Sequence, residues 1–212
     1  MGDPQKEAQL IPGSRLYLGP RQVAHDAQRL QKLGVTKVMS VLAEDQGFDQ
    51  VAVEGDNKVW VHVEDSVEAE DDMARELPSA VEQLVRWDAE AATTLVHCQS
   101  GISRSATVAI AFIMKRYGLP LMEAFGKVHT SRPCICPNDG FFRSLQNFAE
   151  TECGQQMDQD KRTADTQEYN AYQITSQLAW AAVTLKDARN ALQQANGDPV
   201  LAASNLLQAA GM

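Results

Sequence analysis

The sequence predicts an α/β domain with a central, mainly parallel sheet flanked by helices, followed by a small all-α module of three helices. Over the first 150 residues, short runs rich in β-branched residues alternate with stretches of helical periodicity, as in strands that are joined by helical crossovers. After residue 152 the β-rich runs stop and only helical patterns remain. A chain of 212 residues has room for one full domain and a small second module.

Four strands are predicted because the segments are short, apolar and rich in β-branched residues: Leu16 to Leu18, Lys37 to Leu42, Lys58 to Val63 and Thr93 to Val96. Helices are predicted from apolar positions at helical spacing and from end signals, with Gly34 ending the first helix and Pro78 opening the second. The predicted helices are Val23 to Leu33, Pro78 to Glu90, Ser105 to Tyr117, Leu121 to Val128 and Gly140 to Glu150.

Composition and charge narrow the class of protein. Apolar residues make up 44% of the chain and charged residues 22%, the profile of an ordinary soluble protein. The 28 acidic and 19 basic residues give a net charge of −9, which argues against broad binding to nucleic acid or to an anionic membrane. No apolar run approaches the roughly 18 residues of a membrane span, and the first residues lack the apolar stretch of a signal peptide.

The cysteines indicate a reducing compartment and no metal. Four cysteines in 212 residues make a poor disulfide scaffold. Cys134 and Cys136 lack the CxxC spacing of a zinc site, and no second pair exists. We therefore expect reduced thiols, no metal and no organic cofactor, in a protein of the cytoplasm, with the nucleus as a second location.

The most informative stretch is residues 95–107, LVHCQSGISRSAT. It predicts a strand, a tight loop and a helix, an arrangement that directs backbone N–H groups and a helix N-terminus at one concavity suited to a phosphate. Gly101 permits the positive φ that such a loop needs, and the planar guanidinium of Arg104 can bind two phosphate oxygens. The alternative is a buried Cys98 at a strand end with Arg104 on an exposed helical turn, which the combined context disfavours.

The same surroundings act on Cys98. A free thiol has a pKa of about 8.5, and a helix N-terminus or a neighbouring cation lowers it to about 3.5–7.5. Cys98 is therefore predicted to be largely thiolate at neutral pH, and to be a nucleophile placed against phosphorus.

The motif His97-Cys98-x-x-Gly101-x-x-Arg104-Ser105 resembles the signature loop of the cysteine-dependent phosphatases. Within that superfamily, the segment GISRSAT is most similar to the dual-specificity protein phosphatases. The likeness covers roughly residues 9–150 and includes residues 16–19, 33–38, 132–133 and 137–141. The resemblance implies a small atypical member that hydrolyses phosphotyrosine and phosphoserine or phosphothreonine esters through a phosphocysteine.

The resemblance also implies a role for each site residue. Cys98 would attack phosphorus, and Asp65, 33 residues earlier, would protonate the leaving oxygen, with Glu64 as the alternative acid. Ser105 would stabilise the Cys98 thiolate as it leaves. His97 would orient the loop, and Asn138 would support the site. The phosphate would bind to the loop formed by Gln99, Ser100, Gly101, Ile102, Ser103 and Arg104.

The substrate class is inferred from the residues at the variable positions of the loop. The variable loop positions carry no positive charge, whereas inositol-phosphate phosphatases of the superfamily typically place lysines there. A phosphoprotein is thus the expected substrate, with a non-protein phosphate ester as a weaker alternative. A rival of another class is a catalytically weak adaptor that binds phosphoprotein or ubiquitin. Cys134 and Cys136 are candidates for protecting Cys98 from over-oxidation by forming a disulfide, and plain buried or surface thiols are the alternative.

The C-terminal region is predicted to be a linker and a helical module. Residues 153–167 contain one large apolar residue, Met157, which predicts a linker between a catalytic domain at 1–152 and a module at 168–212. Thr184 and Asp187 have the spacing of a capping box, and Asp198 precedes Pro199 at a further helix start. These helices resemble a ubiquitin-associated domain, which implies ubiquitin as a candidate partner; a small packing or dimerisation module is the alternative.

Overall fold

The structure is a computed structural model that describes residues 4–44 and 47–210. The chain divides into two compact units, Met1–Gln155 and Gln156–Met212, which are described separately below. Within the described ranges, no helix has both the length and the apolar character that crossing a bilayer requires.

The first unit is built on a five-stranded sheet with the order β1-β2-β5-β3-β4. Its strands are Gln9–Leu10 (β1), Leu16–Pro20 (β2), Lys37–Leu42 (β3), Lys58–His62 (β4) and Thr94–Cys98 (β5). The pairs β2–β5, β5–β3 and β3–β4 are parallel, and β1 pairs antiparallel with β2. The predicted mainly parallel sheet is confirmed. Strand β1 was not predicted, because a segment of two residues is too short to show a strand pattern in the sequence.

Six helices of this unit are Arg21–Ala24 (α1), Ala27–Leu33 (α2), Glu70–Ala89 (α3), Arg104–Tyr117 (α4), Leu121–Ser131 (α5) and Asp139–Thr151 (α6). The single first helix predicted over residues 23–33 is wrong, because the carboxylate of Asp26 accepts a hydrogen bond from Arg29 N and starts α2 as its N-cap.

The predicted start of the second helix at Pro78 is also wrong. Helix α3 begins eight residues earlier, at Glu70, and Pro78 lies inside it. Three acidic residues in the first turn, Glu70, Asp71 and Asp72, interact favourably with the positive end of the helix dipole and so stabilise this start of the helix. Residues Met73 and Leu77 on the N-terminal half are buried, so packing against the core compensates for the hydrogen bond that proline cannot make.

The core lies on both faces of the sheet. On one face, Val23, Ala24 and Leu30 from α1 and α2 form a cluster with Val38 and Leu95. Because side chains alternate along a strand, the buried neighbours of those strand residues face the other side, where α3 and α4 contact the sheet. This arrangement places the carboxyl ends of β5 and β3 beside the start of α4.

The second unit contains Gln159–Gln177 (α7), Leu185–Gln194 (α8) and Pro199–Ala209 (α9). The predicted linker over residues 153–167 is wrong in its second half, because Asp158 caps α7 by accepting a hydrogen bond from Lys161 N. Polar residues do not exclude a helix when its other half is anchored, here by the buried residues Ala171 and Ile174.

The caps predicted for α8 and α9 are present. Thr184 and Asp187 form a complete capping box, and Asp198 accepts hydrogen bonds from the first backbone N–H groups of α9. An apolar stripe along α8 and its C-cap is buried in one cluster with residues of α7 and α9; its members are Ala188, Ala191, Leu192 and Ala195.

Candidate active site

The loop between β5 and α4, residues 98–104, is named the P-loop below. Gly101 has φ +69, and a Cβ at this position would lie 2.5 Å from the carbonyl carbon and oxygen of Gly19 in β2. Gly19 in turn lies against Ala8, whose Cβ would be 2.7 Å from an added Cβ. The P-loop therefore packs backbone to backbone on β2, and glycine is required at its turn for both conformation and space.

The Cys98 thiol lies at the centre of the P-loop. Cys98 is almost completely buried, and Gly101 N donates a hydrogen bond to its Sγ at 3.2 Å. Burial alone would raise the pKa of Cys98. The Ser105 hydroxyl and backbone N–H, the positive charge of Arg104 and the Ile102 N–H outweigh this effect, so the pKa lies below that of an ordinary thiol.

Ser105 occupies the first turn of α4 beneath the sulfur. Its hydroxyl is fully buried and forms no well-aligned hydrogen bond with any described group. It nevertheless makes the largest of the contributions that lower the pKa of Cys98. A buried hydroxyl with a free proton is suited to stabilise a thiolate, because nothing else competes for that proton.

His97 is held from both sides and is neutral. Its Nδ1 lies 3.2 Å from Cys98 O, and its Nε2 lies 2.7 Å from the hydroxyl of Ser40 in β3. A carbonyl only accepts, so Nδ1–H donates to Cys98 O and the Ser40 hydroxyl donates to Nε2. Burial is the main cause that lowers the pKa of His97 to about 4. His97 thus anchors the first peptide of the P-loop and carries no charge near neutral pH.

The carboxylate beside the P-loop is Asp65. Its Oδ2 lies 3.4 Å from Arg104 Nε, and its side chain is 38% exposed, whereas that of Arg104 is 8% exposed. Arg104 Nη1 also donates to Val63 O at 3.4 Å, which ties the guanidinium to the end of β4. Glu64, the alternative acid, is exposed. Both carboxylates are exposed, and Asp65 is the one that lies against Arg104.

Two polar side chains hold Asp65 in place. Ser103 Oγ donates to Asp65 Oδ1 at 2.7 Å, and Asn138 Nδ2 lies 3.4 Å from the same oxygen. Asn138 Nδ2 also donates to Ser66 O at 3.0 Å, while its Oδ1 accepts from Phe141 N as the cap of α6. Asn138 thus connects the loop that carries Asp65 to the start of α6.

Sequence reasoning missed a buried arginine, Arg132, which is 1% exposed. Its guanidinium donates from Nε to Gly101 O and from Nη2 to Ser100 O, both at 2.8 Å. The remaining N–H groups reach Glu7 O at 2.9 Å, Gln5 O at 3.0 Å and the side-chain oxygen of Gln9. Arg132 therefore ties the outward-facing carbonyls of the P-loop to the N-terminal segment. The signal in the sequence is the segment Arg132-Pro133, quoted above only as part of the resemblance.

The other predicted loop positions differ in exposure. Gln99 and Ser100 are exposed at the mouth of the P-loop, and Ile102 is partly buried. All four cysteines are free thiols, and Cys136 N donates to Ile102 O at 2.9 Å. The structure thus brings Cys98, Arg104, Asp65, Ser103, Ser105, His97 and Asn138 into one site.

The family follows from a direct match. Residues 16–151 match the dual specificity phosphatase catalytic domain. The chain belongs to this family. Human dual specificity protein phosphatase 14 is 33% identical over 135 residues, which cover 64% of this chain and 66% of that protein. Mouse dual specificity protein phosphatase 22 is 30% identical over 148 residues, covering 70% of this chain and 76% of that protein.

Solved structures give the same result. Human DUSP28 superimposes with a TM-score of 0.59 at 31% identity, covering 72% of this chain and 97% of that one. The human tyrosine phosphatase-like serine/threonine/tyrosine-interacting protein gives a TM-score of 0.62 at 28% identity, with 69% and 98% covered. The chain spans about two thirds of human dual specificity protein phosphatase 14, and 12% of the Drosophila phosphatase Slingshot.

Proposed function

We propose that this chain is a small atypical dual-specificity protein phosphatase, which hydrolyses phosphotyrosine and phosphoserine or phosphothreonine esters through a phosphocysteine. One observation carries the proposal. A cysteine with a lowered pKa lies among the backbone N–H groups of Gly101, Ile102 and Ser105, beside a buried arginine that pairs with the carboxylate of Asp65. Thiolate, anion cradle and acid are the three parts that transfer of a phosphoryl group to sulfur requires.

In the first step, the Cys98 thiolate attacks phosphorus and forms an S–P bond as the bond to the leaving oxygen breaks. Arg104 and the P-loop N–H groups hold the three non-bridging oxygens, whose charge is greatest in the transition state. Asp65, protonated at the start, gives its proton to the leaving alkoxide or phenolate. Its exposure beside Arg104 lets it reach an oxygen just outside the P-loop.

In the second step, Asp65 is a carboxylate and takes a proton from water. That water attacks phosphorus, the S–P bond breaks, and inorganic phosphate and the Cys98 thiolate are released. The buried hydroxyl of Ser105 stabilises the returning thiolate. Every step uses groups of the chain and water, so the proposed reaction needs no metal or organic cofactor.

The adaptor reading is not favoured, because the site retains nucleophile, arginine and acid together. The substrate we propose is a phosphoprotein, since the variable positions of the P-loop carry no lysine that would suit an inositol phosphate. We also propose the cytoplasm as the main location, with the nucleus second, because the mechanism needs Cys98 reduced.

The test is phosphate release from phosphotyrosyl and phosphothreonyl peptides in the presence of a metal chelator. The wild type should release phosphate from both peptides, and Cys98→Ser from neither. Cys153→Ser is the matched control, because burial raises the pKa of this thiol and its loss should leave turnover intact. Absence of turnover in the reduced wild type, with retained phosphopeptide binding, would contradict the proposal and favour the adaptor.

A second proposal concerns residues 168–212, for which we propose binding to ubiquitin. The support is the predicted likeness to a ubiquitin-associated domain together with three exposed apolar side chains, Trp180, Val200 and Leu201. Titration calorimetry of the full chain with ubiquitin should give binding that Trp180→Ala or Val200→Ser weakens. Absence of binding in the wild type would leave the packing module as the better description.

A further inference from the structure

The two carboxyl oxygens of Asp65 have different surroundings. Oδ1 accepts a hydrogen bond from Ser103 Oγ at 2.7 Å and has Asn138 Nδ2 at 3.4 Å. Oδ2 faces Arg104 Nε at 3.4 Å, and this Nε makes no hydrogen bond with any described group. Oδ1 thus accepts a short hydrogen bond from a neutral donor, whereas Oδ2 makes no aligned hydrogen bond among the described residues and lies beside the arginine that would hold the phosphate ester.

The orientation of the Asn138 amide is fixed by its neighbour. Its Oδ1 accepts from Phe141 N at 3.0 Å, so a flipped amide would turn two N–H donors against a donor. Asn138 must therefore present Nδ2 to Asp65. Its backbone N–H also lies 3.4 Å from Ser103 Oγ, which directs the Ser103 hydroxyl proton away from Asn138 and toward Asp65 Oδ1.

We propose that Ser103, assisted by Asn138, is a positioning residue that fixes which oxygen of the general acid carries the proton. With donors at Oδ1, the proton of the neutral carboxyl resides on Oδ2, the oxygen that faces the leaving group. This inference rests on the proposed function and deepens it, because it assigns the Ser103 side chain a role in the proton transfer that backbone phosphate binding does not include.

The role has a specific chemical consequence. Without the Ser103 hydroxyl, the carboxyl group can rotate and its proton can occupy either oxygen, so a smaller fraction of the enzyme holds a proton aimed at the substrate. The loss matters for an alkoxide, which leaves poorly unless it is protonated. It matters little for para-nitrophenolate, which leaves without a proton. Ser103 therefore sets the ratio of activity on the two kinds of ester.

A purely structural role of Ser103 predicts a different result. Its carbonyl oxygen accepts a hydrogen bond from Thr107 Oγ1 at 3.0 Å, within the first turn of α4. If Ser103 only shaped the P-loop, its loss would weaken phosphate binding and nucleophilic attack. Both kinds of ester would then be affected equally, and the ratio would not change.

The experiment compares kcat/KM for a phosphothreonyl peptide and for para-nitrophenyl phosphate in the wild type and Ser103→Ala. We expect the ratio of the two values to fall about tenfold, the effect of losing one hydrogen bond to a charged or acidic group. Ser103→Thr retains the hydroxyl and should restore the ratio. Thr107→Val is the matched control, which removes a buried hydroxyl of the same turn and should leave the ratio at the wild-type value.

A second variant keeps the proposal testable if Ser103→Ala folds poorly. Asn138→Asp retains an oxygen to cap α6 but replaces the donor at Asp65 Oδ1 by an acceptor, so the ratio should fall here too. An unchanged ratio in both variants would overturn the inference and leave the proposed function standing. Absence of activity in the wild type toward either ester would instead refute the proposed function.

Discussion

The replacement Arg132→Met tests whether the P-loop is held from behind. All five N–H groups of this guanidinium have acceptors, two of them P-loop carbonyls and three in the N-terminal segment. Methionine fills much of the space but leaves these acceptors without their donor. The Ser100–Gly101 peptide can then rotate, which moves Gly101 N away from the Cys98 sulfur that it contacts at 3.2 Å.

The magnitude follows from the two bonds to the P-loop. A hydrogen bond from a charged donor contributes about 1.5–3 kcal/mol, and the carbonyls of the N-terminal segment can return to water. We therefore expect the free energy of unfolding of the first unit to fall by about 3 kcal/mol. We also expect kcat/KM to fall by at least about tenfold. The loss should stay below the 10²–10³-fold loss that follows when an anion-stabilising donor is itself removed.

The assay is residual phosphatase activity across a urea series, which reports the catalytic unit and not the second unit. Arg132→Lys keeps the charge but not the planar fork, so its losses should lie between those of the wild type and Arg132→Met. A change within about 0.5 kcal/mol, the range of ordinary surface substitutions, together with unaltered kcat/KM, would refute the reasoning.

Three further predictions concern the P-loop and its neighbours. Gly101→Ala places a Cβ 2.5 Å from the backbone of β2 and should lower kcat/KM by about 10²-fold or more. The control Gly118→Ala, at φ +63 with nothing within 4 Å, should lower the free energy of unfolding by about 1 kcal/mol and leave kcat/KM intact. Equal effects of the two replacements on kcat/KM would contradict this account. Ser105→Ala removes the largest contribution that lowers the pKa of Cys98, so the rising limb of the kcat/KM–pH profile should move to higher pH; an unmoved limb would contradict it. Folding lowers the pKa of His97 from 6.5 to about 4, so between these pH values the unfolded chain binds one more proton than the folded chain. The free energy of unfolding should therefore fall as the pH drops from about 6.5 to about 4, by up to about 1.4 kcal/mol per pH unit. Urea unfolding of His97→Asn at several pH values should lack this contribution to the pH dependence.

The parts of the site that are contiguous in sequence could be predicted from it. The P-loop is one strand–loop–helix segment, so the spacing of Cys98, Gly101 and Arg104 predicts both its conformation and the proposed chemistry. The parallel sheet could be predicted for the same reason, since buried strands and crossover helices alternate along the chain. Asp65 required the resemblance, because nothing local separates it from its neighbour Glu64.

The supports of the site could not be predicted, because they join distant segments. Arg132 contacts residues more than a hundred positions earlier in the chain, and His97 in β5 contacts Ser40 in the neighbouring strand β3. No periodicity or spacing reports such contacts; they arise only when the sheet brings the segments together. The start of α3 before Pro78 and the helix over residues 159–167 were missed for a related reason, since tertiary packing outweighs local propensity in both.

The central claim, that Cys98 carries the phosphoryl group between the two steps, is tested most directly by trapping that intermediate. The first turnover of para-nitrophenyl phosphate is quenched in acid and the protein is digested and analysed by mass spectrometry. The account predicts one phosphoryl group on the peptide that contains Cys98, absent from Cys98→Ser and more abundant in Asp65→Asn, whose water attack is slowed. Release of phosphate by the wild type with no modified Cys98, or by a Cys98→Ser protein that remains active, would contradict it.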